Sequence, residues 1–234
     1  MQTFVYGIQL NVEGAAALGR YRHQIFVEQL GWDLPLGEAA IERDQYDRDD
    51  TVYVVARDDE GTLLGCARLL RTTSPYMLKD LFSGLLDPQM PAPESPYVWE
   101  LSRFAARPDA AVRPNGGGMA WGVRPMLTRV VQCALQLQAQ CLIGVTFVSM
   151  ERLFRRIGVQ VHRAGPVRSF DGRKVVACWI DIDEQTLSAL DIDRQGVAMR
   201  RLQSVELPCG ALSSRAASAR SDTARAPAAA PSPH

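Results

Sequence analysis

Two charged residues sit where charge is costly. In VWELSRF, Glu100 and Arg103 lie inside an apolar run that reads as a strand over Val98–Ala106, and a buried charge is unfavourable unless it is paired or used. A buried ion pair satisfies that condition, and so does shared service in one pocket. Strict alternation puts Val98, Glu100, Ser102 and Phe104 on one face and Trp99, Leu101 and Arg103 on the other. A shared pocket therefore requires a bulge or splay in this strand, which would also free backbone N–H groups to meet a carbonyl oxygen. Arg68, in GCARLLRTT, also stands between apolar neighbours. It needs a carboxylate, which Asp44, Asp47 or Glu100 can supply. Asp44 and Asp47, three apart in ERDQYDRDD, either converge on one ligand from a loop or form surface ion pairs with Arg43 and Arg48. Trp32, just past Gly31, is either a core anchor or a lid over the apolar part of a cationic ligand.

Other chemistries lack their residues. The five cysteines are odd in number, widely spaced and mostly among apolar neighbours, and read as core thiols. Three histidines without CxxC or HExxH spacing offer no metal ligand set. The Asn115–Gly118 run, NGGG, lacks the phosphate-cradle patterns and reads as a flexible loop, and no nucleophile elbow occurs.

These residues need a scaffold. The 234 residues, 47% apolar and 22% charged, suffice for a buried core. An amphipathic helix is expected from Ala15 to Leu30, ended by Gly31. Strands over Thr51–Ala56 and Leu64–Leu70 flank the turn RDDEGT as a hairpin. A helix starting at Pro125 runs to about Ala139 with Leu127, Val130, Val131 and Ala134 inward. The strand LIGVTFV, a helix over Met150–Ile157, and strands near Val159–His162 and Val175–Ile182 follow. This order predicts one mixed α/β domain over 1–205, with a curved central sheet and helices on both faces. Residues 206–234 form an Ala/Ser/Pro-rich tail expected to be disordered; its last 22 residues hold eight Ala, five Ser and three Pro.

Lys+Arg and Asp+Glu tie at 26 each, so no global field favours nucleic acid or an anionic membrane. The charge is divided locally. Glu42–Glu60 carries eight acidic and three basic residues, and Glu151–Lys174 seven basic and two acidic. Each is either a solvated face or a site, the first for a small cation and the second for an acidic macromolecule. Without a signal peptide or a long apolar span, a cytoplasmic location is expected.

With these residues in view, the sequence resembles the acyl-homoserine lactone synthases of the LuxI type over roughly 1–190. The likeness rests on RYRHQIFVEQLGW, ERDQYDRDDTVYVVA, GCARLLRTTSPYMLKDLF, VWELSRFAA and IGVTFVSMERLFRRIG, in that order. The family's invariant positions fall on Arg22, Phe26, Trp32, Asp44, Asp47, Arg68, Glu100 and Arg103, and its usual Phe on Phe82. The resemblance implies a GNAT-like fold whose central sheet opens in a V-shaped split that admits an acyl thioester. The GNAT pyrophosphate loop is absent, which fits acyl delivery by acyl carrier protein.

The resemblance further implies S-adenosylmethionine as the second substrate, with no cofactor. Arg22 would meet its carboxylate, Asp44 and Asp47 its positive charges, and Phe26 and Trp32 its apolar parts, with Arg103 and Phe104 beside them toward the pantetheine. Glu100, with Arg68, Asp47 and Ser102 in the catalytic group, would take the proton of the α-amine as it attacks the thioester. Backbone N–H groups near Arg103 and Phe104 would hold the oxyanion. The substrate carboxylate would then close the lactone and release 5′-methylthioadenosine. Phe82, Thr146 and Met150 would line the acyl chain, expected to be octanoyl. Arg152, Arg155, Arg156 and Arg163 would meet the acidic carrier protein. A generic acetyl-CoA-dependent N-acetyltransferase and a lactone-sensing regulator are the alternatives. The missing phosphate loop counts against the first, and the lack of a DNA-reading element counts against the second.

Overall fold

The computed structural model describes residues 3–34, 40–107, 120–170 and 172–194. The NGGG run, Cys209 and the tail over 206–234 lie outside them. The chain opens with β1 (Thr3–Tyr6) and α1 (Val12–Arg22). The Asn11 side chain caps α1 by accepting from the Gly14 N–H at 2.7 Å, so this helix starts three residues before the expected Ala15. After Arg22 the coil widens into a π-helix over His23–Gln29, a departure from the single α-helix expected through Leu30. Gly31, at φ +65°, ends it in the left-handed region that glycine enters freely.

The hairpin forms as expected, from β2 (Val52–Arg57) and β3 (Leu63–Arg71). A short helix α2 (Met77–Leu81) leads toward β4 (Val98–Ala106), whose bounds match the expectation. Helix α3 (Ala120–Gln136) starts five residues before Pro125. Pro125 therefore lies past the first turn, where the helix gives up one i→i−4 hydrogen bond to it. Then come β5 (Cys141–Phe147), α4 (Val148–Ile157), β6 (Val161–Arg163), β7 (Arg168–Phe170), β8 (Arg173–Asp181) and α5 (Glu184–Ala189).

The strands form one sheet in the order β1-β2-β3-β4-β5-β8-β6, with β7 also on β8. One face, including Val54, Leu69, Trp99, Leu101 and Leu142, packs under Leu127, Val130, Val131 and Ala134 of α3 and Phe154 of α4. The opposite face carries two smaller clusters. Tyr21 and Phe26 cover Tyr53, Val55 and Cys66, while Leu78, Leu85 and Leu86 cover Ile143, Val175 and Ala177. Helices thus flank the sheet on both sides. No helix among the described residues is long and apolar enough to cross a membrane.

The β4–β5 pair is parallel and holds register only from Val98↔Cys141 to Glu100↔Ile143. Beyond that the strands part, producing the expected split. Gly144 sits at its vertex, where an added Cβ would lie 2.3 Å from the Leu101 carbonyl oxygen. Only glycine allows the two backbones to approach so closely before diverging.

Candidate active site

The bulge that a pocket shared by Glu100 and Arg103 would need is present. Cys66 pairs with Ala105 and Arg68 with Ser102, two steps on β3 against three on β4, and Arg103 has φ +51°. The extra residue sends Ser102 and Arg103 to the same face. Burial pushes the Cys66 thiol up to about 12, so it stays protonated and donates to the Arg103 carbonyl at 3.2 Å. Phe104 is thereby turned to the other face, where its ring meets Phe154 edge-on at 5.6 Å. This corrects its expected place beside Arg103 on the S-adenosylmethionine and pantetheine side. The alternation that grouped Phe104 with Glu100 does not survive the bulge.

Three buried guanidiniums and three carboxylates meet on the α2 face. Arg68 grips both oxygens of Asp44, at 2.6 and 3.0 Å, and reaches Asp47 at 3.0 Å and Ser102 Oγ at 3.1 Å. Arg22 bonds Glu42 through Nε and Asp47 through Nη1 at 2.7 Å. Arg103 Nη2 bonds Glu42 at 2.8 Å and Asp44 at 2.9 Å. Burial alone would raise the Asp47 carboxyl, but the Arg22 and Arg68 guanidiniums outweigh it and hold it well below the usual carboxylate range.

Asp44 accepts from Arg68 twice, Arg103 and the Tyr46 N–H, two donors on each oxygen, so its lone pairs are filled. Asp47 Oδ1 accepts from Arg22, Arg68 and the Tyr53 hydroxyl, while Oδ2 accepts only from the Asp44 N–H. The acidic segment thus holds arginines in place. Neither residue forms the expected ion pair with Arg43 or Arg48; Arg48 pairs with Asp50.

Glu100 differs. It is 1% exposed and accepts only from the Met77 N–H at 2.9 Å and the Leu78 N–H at 2.6 Å, leaving acceptor capacity. Burial pushes its carboxyl up to about 7, against the pull of those two donors and of Arg68 and Arg103. A carboxylate poised near neutrality beside a strand opening has the properties of a general base.

Aromatic rings bound the split. Trp32 stacks on Phe26 at 4.8 Å, meets Phe147 of β5 edge-on at 6.3 Å, and lies 5.8 Å from the Arg103 guanidinium. It is half-buried and borders the gap between the diverging strands. Phe82 packs with the α2-side cluster and touches Phe170 edge-on at 6.2 Å, whereas Met150 packs with the α3-side core. Thr146 shares that second face by alternation with Leu142, so Phe82 is not brought together with Thr146 and Met150.

The basic segment is also sorted. Glu151, buried at 1% exposed, accepts from Arg155 at 3.2 Å and from Arg163 at 2.8 Å. Arg152 and Arg156 project to solvent from α4. Arg152 joins Arg173, Lys174, Ser149, Phe147 and Leu30 around an open cleft of about 540 Å³, which reaches Trp32 through Phe147. Sequence reasoning missed Arg173 and Lys174 as part of this rim, although both lie within the basic run. It also missed Glu42, which nothing distinguishes from the seven other acids of its segment, and Met77, which reads as core. The Met77 sulfur lies 2.8 Å from Arg68 Nη2 and 3.5 Å from Arg103 Nη1.

An open mixed sheet that splits between parallel neighbours, with a buried carboxylate at the opening, is the GNAT-like acyltransferase fold. An acyl-CoA N-acyltransferase from Pseudomonas aeruginosa, 17% identical, superposes with a TM-score of 0.51 over 76% of this chain and 97% of that one, a likeness of fold alone. Residues 11–190 match the family described as autoinducer synthase. An acyl-homoserine-lactone synthase of Ralstonia solanacearum is 64% identical over 199 residues, 85% of this chain and 97% of that protein. The crystal structure of TofI in a ternary complex with an inhibitor and MTA is 56% identical, with a TM-score of 0.73 over 83% of this chain and 98% of that one. BjaI, a CoA-dependent acyl-homoserine lactone synthase solved with SAM and isopentyl-CoA, is 26% identical with a TM-score of 0.71, over 85% and 90%. The chain belongs to the autoinducer synthase family. It is an acyltransferase, an acyl-homoserine-lactone synthase of quorum-sensing signal production.

Proposed function

We propose that this synthase acylates S-adenosylmethionine with a chain delivered by acyl carrier protein, then closes the lactone and releases 5′-methylthioadenosine, with octanoyl as the main chain. The observation that carries this reading is Glu100, a buried carboxyl at about 7 with unused lone pairs at the mouth of the split. The α-amine gives a proton to Glu100, directly or through water, and its freed lone pair attacks the thioester carbon. The carbonyl becomes an oxyanion held by backbone N–H groups at the β4 bulge, and its collapse expels the pantetheine thiolate, which takes up the second proton lost by the acylated nitrogen. The substrate carboxylate then attacks its own γ-carbon, and the C–S bond breaks to give neutral methylthioadenosine. The protein's task in this second step is to hold the chain folded for intramolecular attack.

The Arg22 side chain is 3% exposed and its Nη2 has no partner, which suits a substrate carboxylate. With Asp44 filled and only Oδ2 of Asp47 left with acceptor capacity, the ammonium falls to Glu100, whose two oxygens each accept a single backbone N–H. Phe26 and Trp32 shield the nucleoside. Thr146 and Met150 line the acyl chain on the α3 side, closed by Phe104 and Phe154, and Phe82, on the opposite face of the sheet, stands apart from them. The MTA bound to TofI and the SAM bound to BjaI support the nucleoside, and the CoA dependence of BjaI indicates that the donor differs within the family.

The decisive experiment incubates purified protein with S-adenosylmethionine and matched panels of acyl carrier proteins and acyl-CoAs, and identifies products by mass. Methylthioadenosine and octanoyl-homoserine lactone from the carrier-protein arm are expected. A mainly 3-oxo or C12 product, or preference for acyl-CoA, overturns the corresponding part. Charge reversal of Arg152 and Arg156 together is expected to raise the KM for acyl carrier protein roughly tenfold and flatten its salt dependence. The KM for S-adenosylmethionine should stay unchanged, as steady-state kinetics at two ionic strengths would show.

A further inference from the structure

Glu42 is 2% exposed and is the carboxylate that joins helix α1 to the β4 bulge. One oxygen bonds Arg22 Nε; the other accepts from Arg103 Nη2 at 2.8 Å and Nε at 3.2 Å. Its backbone N–H donates to the Gly19 carbonyl at 3.1 Å, so the residue is tied to α1 through the main chain as well. An arginine fork has five donors in fixed directions. With Nε held by Glu42 and Nη1 by Asp47, the Arg22 fork cannot rotate. Nη2 is the remaining edge, buried and unpartnered. Arg103 is constrained alike: Glu42 takes Nε and Nη2, leaving Nη1 with only the Met77 sulfur at 3.5 Å. A buried cationic donor without a partner is costly, and it persists where a ligand completes it.

We infer that Glu42 is a positioning residue that fixes the Arg22 fork against Arg103 so that the open Nη2 edge of Arg22 receives the carboxylate of the amino-acid substrate. This role rests on S-adenosylmethionine being the substrate, as proposed above. It makes a distinction that a merely structural ion pair would not, because 5′-methylthioadenosine has the nucleoside and sulfur but no carboxylate. Loss of Glu42 should therefore weaken one ligand and spare the other.

The test is calorimetric titration of wild type, Glu42→Gln and Glu42→Asp with S-adenosylmethionine and with methylthioadenosine, alongside initial-rate kinetics. Glu42→Gln is expected to weaken S-adenosylmethionine roughly tenfold or more, the size of one charge-assisted hydrogen bond. Methylthioadenosine affinity should stay within about twofold, which also shows that the variant is folded. The KM for S-adenosylmethionine should rise by more than kcat falls, and Glu42→Asp, which keeps the charge, should recover part of the loss. Equal weakening of both ligands, or no change in either, overturns the role of Glu42. Wild-type protein that binds neither ligand overturns the substrate assignment instead.

Discussion

Replacing Glu100 by glutamine is expected to cut acyl transfer roughly 100- to 10,000-fold, the usual worth of a positioned general base. The amide keeps the shape and can still accept one of the two backbone hydrogen bonds from Met77 and Leu78, but it cannot take a proton from the amine. The wild-type pH profile should carry the same signature. Burial pushes the carboxyl up to about 7, so the basic form grows as pH rises through that value. Activity should accordingly fall on the acid side of neutrality and level off above it. The measurement is kcat/KM against pH for wild type, and single-turnover acylation for Glu100→Gln. A variant that folds and keeps its acylation rate, or a wild-type profile flat between about pH 6 and 8, would remove the base role. A buried structural carboxylate would give neither a lost acylation step nor an acid limb.

The second large effect concerns stability. Arg68 is completely buried and neutralises Asp44 and Asp47 together. Arg68→Met leaves excess negative charge among partly buried groups, and breaking a buried pair in this way costs about 3–5 kcal/mol. For a domain of this size that corresponds to a fall in melting temperature of roughly 10 °C. Arg68→Lys should recover only part, because an ammonium cannot reproduce the two-pronged grip on Asp44.

The acid limb of stability follows from the same network. Burial tends to raise Glu42 and Asp47, yet both carboxyls are held below their ordinary range, Glu42 mainly by hydrogen bonds from Arg103 and by Arg22. A depressed carboxyl contributes stability that is present above its unfolded pKa and lost as pH falls through the folded one. Wild type should therefore lose stability steadily below about pH 4, and Arg68→Met less steeply, because Asp47 is then held less firmly. Thermal melts from about pH 7 to about pH 3 would read both slopes. Parallel curves for the two proteins would contradict the account.

Several parts of the site were legible from local pattern. The bounds of β4 followed from a nine-residue apolar run, and the hairpin before it from a turn sequence between two such runs. The bulge was legible only as a condition, since two charges on opposite faces of an apolar strand can share a pocket only if the alternation breaks, and a buried ion pair satisfied the same residues without one. Composition leaves Trp32 open between core anchor and lid. The structure packs it on the cluster of Tyr21 and Phe26 and also brings it to Arg103 and Phe147, so it belongs to the core edge that borders the split.

Other parts were hidden for reasons of range. The expected α-helix over Ala15–Leu30 widens after Arg22, where Phe26 must reach both Trp32 and the Arg103 guanidinium, and periodicity carries no trace of such a demand. The negative run around Asp44 and Asp47 fits a solvated face or a cation site equally by composition, because a count of charge shows nothing of its partners. Those partners come from α1, β3 and β4.

What the amino-acid order determined by itself was therefore the inventory: a buried acid and arginines in strands, aromatic residues past a helix end, and a basic helix after a glycine-bearing strand. Side-chain type and short-range periodicity are properties of the chain, and they survive in any fold it adopts. Only the tertiary structure decided how that inventory is shared out. It engaged Asp44 and Asp47 with arginines, left Glu100 able to accept a proton, turned Phe104 away, and joined Glu42 to Arg103 across 61 positions of sequence. Hydrogen bonds act over a few ångströms in space. Which donors come that close depends on a one-residue register shift between β3 and β4 and on the packing of α1, and neither is encoded in any single segment.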